Sequence, residues 1–183
     1  MKKLLFILII FFIFFSSVAI SFAKETLKED TSSSTPSSSK TIDYTLPYPG
    51  LLPDNPLYVL KAIRDRIVEV LISDPIKKAN FYLLQADKRL NAGVLLFNKG
   101  EKKYKLGETT ISKGENYFEK GIAEVERAKK QGIVTAGTSQ RFHLASLKHR
   151  EIIKSLINKS SGDIKQRLLL DDKRMEEFEK KLK

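Results

Sequence analysis

Apolar residues recur every three or four positions through most of this chain, which is the period of an amphipathic α-helix. The first stripe predicts a helix from about Asp54 to Ser73, with Asp54 or Asn55 as its cap and Pro56 at its first position. Its apolar positions are Leu60, Ile63, Ile67, Val70 and Leu71. No stretch alternates at the period of two that a half-buried strand requires, so the pattern predicts an all-helical protein.

The next two stripes predict a pair of long helices. Asp74 and Pro75 have the residue types of a helix cap and a first helical residue, so a second helix begins there and ends near Asn98. A third helix runs from about Lys102 to Lys130. Both carry apolar or small residues along one face, as helices that pack on each other do.

Small residues recur every seven positions along these two predicted helices and the turn between them. They are Ala79, Ala86, Gly93, Gly100, Gly107, Gly114, Gly121 and Ala128. A glycine inside a helix costs about 1 kcal/mol relative to alanine, so several in one helix need a compensating contact. Small residues at one heptad position let two helix backbones approach closely. We therefore predict an antiparallel hairpin with a small-residue seam; the alternative is that the glycines let the third helix bend.

Two more helices complete the predicted bundle. Thr138 or Ser139 would cap a fourth helix, which ends at residues 158–162. Its apolar stripe is Phe142, Ala145, His149, Ile152 and Leu156. A last helix follows from Asp163, with the stripe Ile164, Leu168, Met175, Phe178 and Leu182. The predicted fold class is all-α, an antiparallel helical bundle or hairpin of about five helices.

A proline-rich segment, here called the strap (residues 46–57), precedes the first helix. It has prolines at positions 47, 49, 53 and 56, which favour an extended path. We predict that its apolar side chains lie in a groove of the bundle and hold the first helix; they are Leu46, Tyr48, Leu51 and Leu52. The alternative is an exposed proline-aromatic ligand for a partner protein.

Residues 1–23 have the layout of a secretory signal peptide. Two lysines precede an apolar run from Leu4 to Phe15, and residues 21–23, Ser-Phe-Ala, have the small-x-small pattern of a cleavage site. The same residues fit an uncleaved membrane anchor, because a spanning helix needs about 20 apolar residues. Both interpretations predict export, with the rest of the chain either secreted or held at the extracytoplasmic face of the cell membrane.

Composition divides the remainder of the chain into three segments. Residues 24–45 centre on a Ser/Thr/Pro tract with little apolar surface to bury, which predicts a disordered linker. Residues 46–132 hold the strap and three helices, and residues 133–183 form a basic helical pair. The whole chain has a net charge of +11, which favours partners that carry negative charge.

The sequence contains few residues in patterns that support catalysis. It has no cysteine, which excludes disulfides, thiolate metal sites and a cysteine nucleophile. His143 and His149 are six positions apart and do not share a helix face, so a metal site is disfavoured and His149 is interpreted as a hydrogen-bonded core residue. Phosphate-binding glycine loops and serine-hydrolase motifs are absent. We therefore expect no enzymatic activity, no metal or cofactor, and find no evident small-molecule substrate.

Three motifs resemble those of a known family. They are the Leu-Pro-Asp-x-Pro-Leu-Tyr string at residues 52–58, the Ser-Asp-Pro turn at 73–75, and the Ala-Asp-Lys-Arg-Leu string at 86–90. Over residues 46–131 the chain is similar to a family of exported bacterial proteins known only as a domain of unknown function. The resemblance implies an extracytoplasmic helical domain and transfers no activity or site residue.

Three functional hypotheses follow. In the first, the chain is a non-enzymatic structural or interaction module of the bacterial cell envelope that binds an envelope protein through a helix face or the strap. In the second, it is a basic domain that binds anionic envelope polymers, lipid headgroups or extracellular nucleic acid. Mixed charge signs along every helix weaken the second hypothesis, and an unrecognised hydrolase ranks last.

Six residues are candidates for partner binding, and none is assigned a catalytic role. They are Tyr48 and Tyr58, in and after the strap, and Lys165, Arg167, Lys173 and Arg174 on the last helix. We expect contact with a membrane only through the amino-terminal segment, if that segment is uncleaved. Heptad spacing is also compatible with self-association.

Overall fold

The computed structural model describes residues 42–182, and every regular element in that range is helical. The elements are α1 (Tyr58–Leu71), α2 (Pro75–Phe97), α3 (Tyr104–Lys130), α4 (Ala136–Asn158) and α5 (Gly162–Lys181), with a 3₁₀ turn at Glu101–Lys103. The all-α prediction is confirmed for this part of the chain. The predicted signal peptide or anchor, and residues 24–41 of the predicted linker, lie outside the described residues. Within residues 42–182, each helix is either too short or too polar to span a lipid bilayer.

The start of α2 is set by the predicted cap. Asp74 Oδ1 accepts a hydrogen bond from the Lys77 backbone N at 2.7 Å, and Pro75 occupies the first helical position. Proline is favoured there because its missing N–H has no helical partner at that position. The predicted second helix is therefore confirmed at its amino end, and it ends at Phe97, next to the predicted Asn98.

The start of α1 differs from the prediction. The helix begins at Tyr58, and neither Asp54 nor Asn55 caps it. Asn55 Oδ1 instead accepts a hydrogen bond from the Leu57 backbone N at 2.9 Å, which stabilises a turn ahead of the helix. Asp54 pairs with Lys99 Nζ at 2.9 Å, so its carboxylate serves a contact with the α2–α3 connection.

α4 also begins elsewhere than predicted. The Thr135 carbonyl accepts a hydrogen bond from the Ser139 backbone N at 2.8 Å, so helical bonding begins three residues before the predicted cap Thr138. Both predicted caps therefore lie in the first turn of the helix. The end of α3 at Lys130 and the break between α4 and α5 at residues 159–161 match the prediction.

Small residues bring α2 and α3 close together. A Cβ added at Gly93 would lie 2.4 Å from Ile111 Cγ1, and one added at Gly114 would lie 3.2 Å from the Ala86 carbonyl oxygen. Near the far end of the pair, a Cβ at Gly121 would meet a ring atom of Phe142 of α4 at 2.5 Å. The predicted small-residue seam is present, and close approach of neighbouring groups is what requires these glycines.

One hydrophobic core joins α2, α3, α4 and α5. Phe118 of α3 lies within it, with its ring centroid 5.2 Å from that of Phe142 on α4 and 5.8 Å from that of Phe178 on α5. The predicted stripes of α4 and α5 supply buried members, which include Phe142, Ala145, His149, Leu156, Leu168, Met175 and Phe178. The last two helices therefore pack on the α2–α3 pair.

The strap is attached mainly through its backbone. Asn91 Nδ2 donates a hydrogen bond to the Pro47 carbonyl at 2.9 Å, and Lys61 Nζ donates one to the Pro49 carbonyl at 2.7 Å. Leu46 packs against the core as predicted. The prediction that Tyr48 packs into a groove of the bundle is wrong, because Tyr48 is 79% exposed and lies beside α1.

Candidate functional site

The apolar stripe of α1 points away from the bundle. Nine of the fourteen exposed large hydrophobic residues in the described part of the chain lie on α1 or the strap. We call six of them the α1 apolar face: Val59, Leu60, Ile63, Ile67, Val70 and Leu71. Their exposed fractions lie between 53% and 74%. At 3.6 residues per turn, the six positions fall within an arc of about 120° on the helix surface.

An arginine lies on each side of the α1 apolar face. By the same geometry, Arg64 and Arg66 project about 20° beyond the two edges of the arc. Their side chains are 64% and 70% exposed, although each contacts a carboxylate nearer the bundle. Arg64 Nη2 lies 2.7 Å from Asp65 Oδ1, and Arg66 Nη1 lies 3.0 Å from Glu69 Oε2. The outward surface of α1 is thus an apolar strip bordered by positive charge.

The opposite side of α1 is polar and faces the bundle. Glu69 is buried, and its Oε1 accepts hydrogen bonds from Tyr82 Oη at 2.9 Å and from Lys120 Nζ at 3.1 Å. Burial alone would raise the pKa of Glu69, but the hydrogen bonds from Lys120 and Tyr82 outweigh it and hold the pKa below its ordinary value. The Glu69 carboxylate therefore stays ionised and fixes the rotation of the helix.

The strap runs beside the edge of α1 that carries Arg64. Tyr48 and Leu51 of the strap line a shallow groove together with Lys61, Arg64 and Lys88. Lys61 Nζ closes part of this groove through its hydrogen bond to the Pro49 carbonyl. The groove extends the exposed surface of α1 with one aromatic, one aliphatic and three basic side chains.

The structure places the two predicted tyrosines in different environments. Tyr48 is largely exposed in the strap groove, so it belongs to the outward surface. Tyr58 is half-buried, and its Oη accepts a hydrogen bond from Arg89 Nη1 at 2.9 Å. Lys61 Nζ lies 5.4 Å from the centre of the Tyr58 ring. Tyr58 thus attaches α1 to α2, and only Tyr48 presents its ring to solvent.

The four predicted residues of α5 also divide into two pairs. Arg167 Nη1 lies 3.1 Å from Glu108 Oε2, and Arg174 Nη2 lies 2.7 Å from Glu119 Oε2, so both arginines join α5 to α3. Lys165 and Lys173 are exposed and form no ion pair with another residue of the range 42–182. No contact within that range joins the α5 candidates to the candidates on the strap and α1.

Residues 50–162 match the family described as a domain of unknown function, DUF5667. The chain belongs to this family. The DUF5667 match begins within the strap and extends through α4, so it contains all of α1. It agrees with the resemblance to an uncharacterised domain, while the exported, bacterial character stays a prediction. No curated protein and no solved structure matches the chain.

A buried carboxyl pair joins the DUF5667 domain to α5, and sequence analysis missed it. Glu115 of α3 and Asp171 of α5 are both buried, and the nearest charged donor, Arg174 Nη1, lies 3.7 Å from Glu115 Oε2, beyond hydrogen-bond distance. Burial, reinforced by repulsion from Asp171, raises the pKa of Glu115 to about 10. Burial and the nearby Glu108 raise the pKa of Asp171 to about 7. The pair therefore retains at least one proton at neutral pH.

A sequence signal for this pair existed. The apolar stripe predicted for α5 consists of residues 164, 168, 175, 178 and 182. Residue 171 lies three positions after 168 and four before 175, so the same spacing predicts that it also faces the core. An aspartate at such a position indicates a buried polar contact between helices.

A second buried polar cluster joins the segment before the strap to the DUF5667 domain. Tyr44 Oη donates a hydrogen bond to Asp87 Oδ2 at 2.6 Å, and His149 Nε2 lies 2.9 Å from Asp87 Oδ1. Burial and the neighbouring Asp87 carboxylate raise the pKa of Tyr44. His149 is 1% exposed, which confirms its interpretation as a hydrogen-bonded core residue. The cluster connects three parts of the chain and holds the start of the strap in place.

Proposed function

We propose that this chain is a non-enzymatic, extracytoplasmic interaction module of the bacterial cell envelope, and that it binds through the α1 apolar face. The observation that carries the proposal is the orientation of α1, whose apolar side is exposed while its acidic side is buried. Contiguous exposed apolar surface with a polar border is typical of interaction sites on soluble domains.

The orientation of α1 is specified by particular contacts. Glu69 is held by Tyr82 and Lys120, and Tyr58 is held by Arg89. Turning the helix over would break the hydrogen bonds that Glu69 accepts from Tyr82 and Lys120, and a hydrogen bond to a charged group is worth about 1.5–3 kcal/mol. The chain therefore maintains an exposed apolar strip at an energetic cost, which is expected of a surface that binds a partner.

The rest of the domain provides a rigid support for α1. The proposal includes an antiparallel hairpin of α2 and α3, which the close approaches of Gly93 to Ile111 and of Gly114 to Ala86 support. The donors that hold α1, Tyr82 on α2 and Lys120 on α3, both come from this pair. The extracytoplasmic location is supported by the signal-like sequence of residues 1–23.

The second hypothesis, binding of an anionic polymer through α5, has a narrower basis. Lys165 and Lys173 remain exposed and support it. Arg167 and Arg174 are already paired with α3 carboxylates, so half of the predicted basic set stabilises the fold. Salt-sensitive retention on polyanions that Lys165→Gln and Lys173→Gln abolish would favour this hypothesis.

Site-specific photo-crosslinking tests the proposed surface. A photoreactive amino acid replaces Ile63 on the α1 apolar face, or Leu170 on α5 as a matched exposed control, in the full chain expressed in its own cells. We expect envelope adducts from position 63 and none, or far fewer, from position 170. Equal adducts from both positions, or none from position 63, would contradict the proposed surface. Protease digestion of intact cells tests the extracytoplasmic location.

A further inference from the structure

The shape and border of the α1 apolar face indicate what covers it. We propose that α1 lies in the headgroup region of an anionic lipid bilayer, with its apolar face toward the acyl chains. The inference rests on the proposed function, since it names the partner of that same surface. The second sequence-based hypothesis also named lipid headgroups, but it placed their binding on the basic carboxyl-terminal helices, whereas this inference places it on α1.

The first argument is the distribution of side chains around α1. Helices that lie in a bilayer interface combine an apolar arc with arginine or lysine at its borders, because the long cationic side chains reach back to the headgroups. α1 has this distribution, with Arg64 at one edge of the arc and Arg66 at the other. Although each pairs with a carboxylate, the two arginine side chains are 64% and 70% exposed, more than Arg167 or Arg174 of α5.

The second argument is the shape of the surface. The apolar side chains project from a single exposed helix, so the surface is a convex ridge. A protein partner would need a groove complementary to this ridge, whereas acyl chains rearrange around it. The hydrophobic side chains are mostly β-branched or leucine, which gain from any apolar surroundings without a directional contact.

The third argument is charge. The groove beside α1 adds Lys61 and Lys88 to the positive border, and the whole chain has a net charge of +11. A second copy of the chain would bring the same basic border against itself, which disfavours a homodimer through this face. An anionic bilayer is complementary to it. Tyr48, exposed in the same groove, is a residue type enriched at membrane interfaces.

The fourth argument is the chain that precedes the described residues. If the predicted apolar segment from Leu4 stays in the membrane as an uncleaved anchor, the rest of the chain is tethered to that bilayer, which raises the local concentration of lipid around it. The arguments from α1 itself do not depend on this segment.

The absence of cysteine allows a direct test on the full chain. Val70→Cys places a single thiol on the α1 apolar face, and Leu170→Cys places one on α5 at a similar exposure, 72% against 67%. Each variant carries an environment-sensitive fluorophore and is mixed with phosphatidylglycerol-containing or pure phosphatidylcholine vesicles. Some vesicles contain lipids brominated on the acyl chain, which quench a fluorophore inserted at that depth.

We expect the fluorophore at position 70 to shift to shorter wavelength and to be quenched by brominated lipid, with the stronger response on phosphatidylglycerol vesicles. The fluorophore at position 170 should not respond. The amino-terminal segment would carry both labels to the vesicle equally, so the difference reports on α1. Adding Ile63→Ser and Ile67→Ser should raise the lipid concentration for half-maximal response about tenfold or more.

Three results would overturn the inference. A label at position 70 that stays water-exposed on both vesicles excludes insertion of α1. An equal response on neutral vesicles would show that neither the arginine border nor anionic lipid contributes to binding. A shift that depends on protein concentration without vesicles identifies a second copy as the occupant. If the label at position 70 does not respond to vesicles but photo-crosslinking from position 63 captures a protein, the proposed function is kept and the membrane inference is rejected. If neither experiment gives a signal, the proposed function and the membrane inference are both rejected.

Discussion

Two buried carboxyl groups make the stability of the described bundle depend on pH. Glu115 and Asp171 face each other between α3 and α5, and their pKa values, about 10 and about 7, lie above those of free carboxyls. The folded state therefore binds protons that the unfolded chain releases above about pH 4.3. The stabilisation is fully present below that pH and is lost as pH rises through the two folded pKa values.

Replacing Glu115 by glutamine should flatten this pH dependence. Glutamine keeps the size of the side chain and a donor for Asp171, but it has no proton to lose. We expect the wild-type free energy of unfolding to fall by several kcal/mol between pH 5 and pH 9, because over most of this range the folded state holds protons that the unfolded chain has released. The loss should be clearly smaller in Glu115→Gln. Chemical denaturation across this pH range measures both.

Glu177→Gln, on an exposed position of α5, is the matched control for this experiment. It should preserve the wild-type pH profile. Parallel profiles for the wild type and Glu115→Gln would show that the buried pair does not retain its proton.

At the scale of elements, the α2–α3 seam is sensitive to one methyl group. A Cβ at Gly93 would meet Ile111 Cγ1 at 2.4 Å and the Gly107 carbonyl oxygen at 3.0 Å. Alanine stabilises a helix by about 1 kcal/mol relative to glycine, but overpacking a core destabilises a protein by about 1–3 kcal/mol. The β-branched side chain of Ile111 and the Gly107 backbone oxygen cannot move far to make room for the methyl group. We therefore expect Gly93→Ala to destabilise the protein by about 1–2 kcal/mol.

Gly137→Ala is the control for that prediction. Gly137 also lies in a helix, near the start of α4, but no atom lies within 4 Å of its added Cβ. This substitution should therefore stabilise the protein slightly through helix propensity alone. Urea denaturation midpoints measure both variants, and two shifts of the same sign would contradict the role assigned to the seam.

Periodicity predicted where helices form, but it could not predict which side of α1 faces the bundle. The helix has an apolar side and an acidic side, and the usual expectation buries the apolar one. The acidic side is buried here because Glu69 meets Tyr82 and Lys120, which lie 13 and 51 residues away in the sequence. Such partners become visible only in the folded chain. In α4 and α5, His149 and Asp171 are buried polar residues that lie on the apolar stripe itself, so the stripe faces the core as predicted.

The same limit explains the candidate residues of α5. Arg167 and Arg174 were predicted to be available for binding because they lie off the apolar stripe of α5. Their carboxylate partners on α3, Glu108 and Glu119, lie 59 and 55 residues away. Charge composition alone therefore overestimated the free basic surface, whereas Lys165 and Lys173 retain the exposure that was expected of them.

At the scale of the whole molecule, segments outside the family match complete the fold. Tyr44 lies before the matched residues 50–162 and α5 lies almost entirely after them, yet both contact the matched part through buried polar groups. The last residues of the predicted linker (24–45) are thus attached to α2 and α4. This attachment fixes where the chain leaves the bundle and, with it, the position of the strap beside α1.

Removing one hydroxyl tests this attachment. In Tyr44→Phe the ring is kept, but Asp87 Oδ2 loses its donor at 2.6 Å. Loss of one partner from a buried acceptor costs about 1–3 kcal/mol, and we expect a decrease of that size in the free energy of unfolding.

Tyr48→Phe is the control, because Tyr48 is mostly exposed and its hydroxyl has no hydrogen-bond partner among residues 42–182. Tryptic cleavage at Lys40 should also accelerate in Tyr44→Phe alone, since the segment that follows is released. Equal stability and equal cleavage in the two variants would show that the strap is held by its backbone contacts at Pro47 and Pro49 without help from Tyr44.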